Sequence, residues 1–266
     1  MTLGLSRRRF LGALLAAAAG GPSVLARGAA QGWVDRRTYG PFACVSAFPM
    51  GSLDGVFEEL SGLEQELHRT LAVPPARQSV DVFLLADEES HRSFLKQLYP
   101  QVPYRRALYD RRGGRGAVYA YQHDELPVDL RHESTHALLH ATLSEVPLWL
   151  DEGLAEYFEV SRGRNGVNRM HLDYLKGQLA VGGWRPNLPR LEQLTSAGDL
   201  TQLDYAESWL WVHYLLETGE EREALLAAYV ASLQPGVPAG ALSERIKANV
   251  ENPHDAIIAH LKSLSP

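Results

Sequence analysis

The spacing of apolar residues changes about halfway along the chain. Phe42-Ala-Cys-Val-Ser-Ala-Phe48 alternates with period two and predicts a half-buried strand. Leu53, Val56, Phe57, Leu60, Leu63, Leu67 and Leu71 then recur at three- and four-residue steps, which predicts an amphipathic helix closed by Pro74-Pro75. Ser79 to Leu85 reads as a second strand, and Glu88 to Leu98 as a helix that stops before Pro100 and Pro103. Asp110-Arg-Arg-Gly-Gly-Arg-Gly116 has the composition of a basic turn feeding a third strand, Ala117 to Tyr121. From Pro127 onward the pattern is mostly helical, with helices expected near Ser208 to Leu216, Glu220 to Leu233 and Asp255 to Leu264. Strands first and helices afterwards predict an α+β fold rather than regular βαβ alternation. The chain divides into residues 1–30, an α/β part over 31–125, a helical segment over 126–190 and a helical tail over 191–266.

The first of these parts changes the composition. Ser6-Arg7-Arg8-Arg9-Phe10-Leu11, an apolar stretch to Gly20 and small residues up to Ala30 have the layout of a cleavable export peptide. The paired arginines before Phe-Leu resemble the twin-arginine signal, which predicts an exported, periplasmic or secreted bacterial protein. Cleavage after Ala26 or Ala30, or retention as an amphipathic anchor, remain alternatives. The stretch is too short for a permanent membrane span. It carries Arg7, Arg8, Arg9 and Arg27 and no acid, so without it the formal charge of −6 becomes −10. Binding to nucleic acid through clustered positive charge is therefore disfavoured. The lone Cys44 has no partner for an internal disulfide and reads as a buried strand residue.

Chemistry concentrates in the predicted helix after Pro127, at His132-Glu-Ser-Thr-His136, an HExxH string. Residues four apart on a helix are separated by about 400° and about 6 Å of rise, so both imidazoles share a face and can converge on one metal ion. Glu133 lies about 100° further round and borders that position without having to bind it. Imidazole nitrogens suit Zn²⁺, and two of them leave a tetrahedral site incomplete. Trp149-Leu-Asp-Glu-Gly-Leu-Ala155 lies in a second predicted helix, where Glu152, sixteen residues after His136, can stand opposite the histidines as third ligand. Two His and one Glu would leave an open position, as in a catalytic site.

HESTH followed by this Trp-Leu-Asp-Glu-Gly-Leu-Ala segment resembles the gluzincin metallopeptidases, closest to the bacterial peptidase MA-like group. The resemblance spans Pro127 to Glu159. It implies a zincin-like (thermolysin-like) fold, one Zn²⁺ held by His132, His136 and Glu152, Glu133 as general base, and a peptide or protein substrate. Asp204-Tyr205-Ala-Glu-Ser-Trp is similar to a segment whose tyrosine supports the tetrahedral intermediate in the aminopeptidase branch, which makes Tyr205 the matching position. Glu156 matches the acidic position behind a zinc-bound histidine, and Glu159 competes for that role. Gly116-Ala-Val-Tyr-Ala120 is the counterpart of the segment that holds a free substrate amine in aminopeptidases. It lacks the required Glu, so an endopeptidase is favoured. Gly116 to Tyr121 is expected to be an exposed edge on which an extended substrate pairs.

His140 lacks the preceding glycine of a three-histidine site and reads as a surface or packing residue. His171 or His213 remain alternatives to Tyr205 for the oxyanion. Gly113 to Gly116 lacks the Lys-Ser/Thr of a phosphate loop. The rival reading is an envelope interaction protein, zinc-bearing or metal-free, that keeps the fold without turnover. In that reading the tail from Leu191 would dock a partner; otherwise it closes the cleft.

Overall fold

A computed structural model describes residues 32–265 apart from 77, 113, 144 and 234–238, so the expected export segment lies outside the described residues. Five strands form one mixed sheet: β1 Asp35–Tyr39, β2 Phe42–Ser46, β3 Val80–Leu85, β4 Leu108–Arg112 and β5 Arg115–Tyr121, in the order β1-β2-β3-β5-β4. The inner pairs β2/β3 and β3/β5 are parallel, and the outer pairs are antiparallel. Cys44, Val82 and Val118 stand side by side across the three inner strands, buried on one face. Burial pushes the Cys44 thiol pKa up to about 12.

Three expectations change here. The two outer strands, DRRTY and LYDRR, carry no apolar alternation because an edge strand is half solvated, and charge on it discourages pairing with other chains. The basic stretch at 110–116 is the tip of the β4/β5 hairpin, turning at Gly114 with φ +86°, and both flanks are strand. β5 is interior, bonded on both sides, so the exposed edge beside it is β4.

The first half also contains a crossover. Helix α1, Asp54–Leu71, joins the parallel strands β2 and β3, and α2, Glu88–Leu98, follows β3. Phe57, Leu60, Leu63, Leu67 and Leu71 of α1 are buried in the main core. The opposite sheet face is smaller: Phe83 stacks on Tyr119 at 5.2 Å, under Phe94 and Leu95 of α2.

The remaining elements are helices: α3 Leu126–Thr142, α4 Leu148–Phe158, α5 Arg169–Ala180, α6 Leu188–Leu191, α7 Gln202–Glu217, α8 Glu220–Ala231, α9 Leu242–Asn249 and α10 Pro253–Ser263. α3 packs against β5, β4, α1 and α4, and α4 is packed in turn along α7. A helix enclosed this way cannot show a simple amphipathic stripe, and nearly every residue from Leu126 to Leu139 is buried. Gly153 permits the close approach of α4 to α7: a Cβ there would lie 2.6 Å from the Ser208 carbonyl oxygen and 2.8 Å from Val212 Cγ2. Among the described residues no helix is long and apolar enough to cross a membrane.

Candidate metal centre

α3 carries His132, Glu133 and His136, and α4 carries Asp151, Glu152 and Glu156, with Glu159 just beyond its end. The two Nε2 atoms lie 3.3 Å apart, and Glu152 Oε2 lies 3.8 Å from His132 Nε2 and 3.7 Å from His136 Nε2. Tetrahedral ligands at the bond lengths of Zn²⁺ are separated by about 3.3–3.5 Å, so a small inward shift of Glu152 completes three corners. All three side chains are enclosed, at 3%, 5% and 3% exposure for His132, His136 and Glu152. Glu152 Oε2 is buried and accepts no hydrogen bond among the described residues.

Each imidazole is held from behind. His132 Nδ1 donates to Glu159 Oε2 at 2.9 Å, and His136 Nδ1 faces Asp151 Oδ1 at 3.1 Å. An ionised carboxylate only accepts, so in the neutral imidazoles that a metal requires the proton sits on each Nδ1 and each Nε2 lone pair turns inward. In that form the two Nε2 atoms, 3.3 Å apart beside a carboxylate oxygen, make a donor set that one cation fits. The wider layer is consistent: Asp151 Oδ2 accepts from His140 Nε2 at 3.0 Å, and Glu156 Oε2 pairs with His171 Nε2 at 2.8 Å. Asn168 caps α5 and donates to Glu159 Oε1 at 2.9 Å.

The electrostatics carry the same sign. Burial opposes a charged His136, but Asp151, Glu152 and Glu133 outweigh it and hold the imidazole pKa at about 10. Burial likewise opposes a charged His132, and the Glu159 bond outweighs it, raising that pKa. Burial lifts the Glu152 carboxyl to about 7 despite the two histidines. Among these side chains the surplus is negative, which the donor set of one divalent cation suits.

Glu159 thus accepts directly from His132, while Glu156, whose charge also acts on His132, pairs with His171. His140, expected to be a packing residue, braces Asp151. His171 stands behind the site, and His213 pairs with His260, Nδ1 to Nε2, at 3.0 Å against Trp209. Tyr205 opens α7 in a small apolar cluster with Ala197, Leu200 and Leu148, one turn of α4 before Glu152. Glu133 Oε2 accepts the backbone N–H of Tyr109 on β4 at 2.8 Å. The Tyr109 ring lies 6.4 Å from the His136 ring and edge-on to His140 at 5.6 Å. Asp151 and Tyr109 had no signal in the chain: one is an acid beside an acid, and the other lies in a polar strand far from the HExxH string.

Residues 128–236 match a family described as "Protein of unknown function (DUF1570)". No curated protein matches the chain. Among solved structures, the chain is similar to the crystal structure of an M1 zinc metallopeptidase, in mutant form, from Deinococcus radiodurans, with TM-score 0.42 and 16% identity. That similarity covers 88% of this chain and 52% of the other, so the chain spans about half the length of that protein.

Proposed function

We propose that the protein is a zinc-dependent hydrolase of peptide bonds with a zincin-like domain of gluzincin type. The observation that carries this reading is the convergence of His132 Nε2, His136 Nε2 and the unbonded Glu152 Oε2, with Glu133 beside them. These three residues would hold one Zn²⁺. The ion, when bound, supplies Lewis acidity: it polarises a carbonyl and makes water nucleophilic near neutral pH.

The chain's own residues do the rest. Glu133 takes the proton of the attacking water and delivers it to the leaving amine. The Tyr109 N–H fixes one carboxylate oxygen of Glu133 and leaves the other for that transfer. Asp151 and Glu159 hold the two imidazoles in the tautomer that presents Nε2. The Tyr205 hydroxyl is the proposed donor to the developing oxyanion. A substrate chain would pair with the open edge of β4, because an extended peptide recruits unpaired main-chain groups. Endopeptidase action is proposed over aminopeptidase action, from the missing amine-holding Glu. Export to the bacterial envelope belongs to the same proposal.

Comparison of wild type with Glu133→Gln at equal zinc content, on a library of blocked and free peptides, tests it. Wild type is expected to cleave blocked peptides and the variant to lose that activity. Equal inactivity of both, with zinc bound, would refute the enzyme reading.

A further inference from the structure

The edge strand that borders the candidate metal centre carries a charge with no ion-pair partner among the described residues. The Tyr109 N–H points away from β5 to Glu133, so by antiparallel alternation Tyr109 and Arg111 both turn their main-chain groups to the open side. Their side chains share the sheet face that α3 covers, where Tyr109 lies against His136. Arg111 follows about 7 Å further along the strand. It is exposed, and the residue opposite it is Gly116, which contributes no side chain. Three other arginines of this region are committed: Arg115 to Asp81 at 2.5 Å, Arg106 to Asp129 at 2.6 Å, Arg131 to Glu59 at 2.6 Å. Arg111 has no carboxylate partner among the described residues, in a protein that is acidic overall.

We infer that the substrates of this site are peptide segments bearing an Asp or Glu side chain two or three residues from the cleaved bond, with Arg111 as the residue that reads it. The inference rests on the peptidase reading above and deepens it. Glu133, tied to Tyr109, sets the reacting bond beside Tyr109. Cross-strand neighbours stand about 4.5–5.5 Å apart, so a carboxylate two positions along the same face falls within reach of the guanidinium. A guanidinium meets a carboxylate with two parallel hydrogen bonds, which selects Asp and Glu over Asn and Gln. In an acidic protein such a cation also offsets the repulsion that an acidic substrate would otherwise meet.

The test uses the zinc-loaded full chain on blocked peptides in which Glu, Gln or Lys is scanned over three positions on each side of the cleaved bond. The expected result is about fivefold higher kcat/KM for Glu than for Gln at a position two or three residues away, fading as salt rises. Arg111→Gln should abolish the preference, Arg111→Glu should transfer it to Lys, and Arg115→Gln should leave it unchanged. Equal rates for Glu, Gln and Lys, or a preference that survives Arg111→Glu, would overturn the inference while leaving the peptidase reading in place. Cleavage of none of the peptides would overturn the peptidase reading itself.

Discussion

Side chains around the candidate metal differ in what their removal should cost. Glu133→Gln keeps volume and an acceptor for the Tyr109 N–H, so zinc binding should be unchanged while kcat falls about 10²–10⁴-fold, measured at equal metal content. Asp151→Asn replaces a charged acceptor shared by His136 and His140 with a neutral amide. A loss of about 10–100-fold in zinc affinity is expected, read by competition with a chelator, and an unchanged affinity would remove Asp151 from the orienting role. His132, Glu133 and His136 were legible as a group because helical rotation alone puts them on one side. Asp151 was not, since its use depends on how α4 is rotated toward α3. The choice between Glu156 and Glu159 was equally invisible: both face inward on the same stretch and both accept from Asn168, and the placement of His171 on α5 separates them.

Helices hold these residues only as well as they pack. Gly153→Ala would push a methyl group into the Ser208 carbonyl and Val212, costing about 1–3 kcal/mol of stability and displacing Glu152 one residue away. Denaturant unfolding and zinc titration of the variant should both register it; wild-type values for both would contradict the packing argument. α10 is joined to α7 by the His213–His260 bond. Burial holds His213, His260 and also His91 near a pKa of 4, below the ordinary 6.5. Between those values the unfolded chain binds more protons at these three sites than the folded one, so their contribution to stability is complete above about pH 6.5 and falls as pH drops toward 4. Thermal unfolding at stepped pH should show this decline, and His260→Gln should make it shallower.

At the scale of the whole molecule, the core and the candidate metal site share the same helices. α3 and α4 lie within the main apolar cluster, so closing the candidate three-ligand site and packing the helices would be one event. Chelation should lower the unfolding temperature and added zinc restore it. Free zinc at a hundred times its Kd stabilises by about 2.7 kcal/mol. A melting temperature indifferent to chelator and zinc would argue against a metal centre. The α+β class, the three inner strands and the helical second half were legible, because buried elements write their period into the chain. The outer strands were not, because half-solvated edges with charged residues obey no apolar alternation. The substrate edge was therefore assigned to β5, although β4 occupies it.

Local rules were sufficient for the HExxH face and for most of the apolar face of α1, since each depends on spacing within one element. Packing between elements decided the remainder. It brought Glu152 to within 4 Å of both imidazoles, put Glu159 directly behind His132, set Asp151 between His136 and His140, and laid β4 beside Glu133. These contacts join residues on different elements, and their distances follow from the rotation and approach of one helix or strand against another. A glycine at 153 and a hairpin turn at 114 control that geometry without contributing any chemistry of their own.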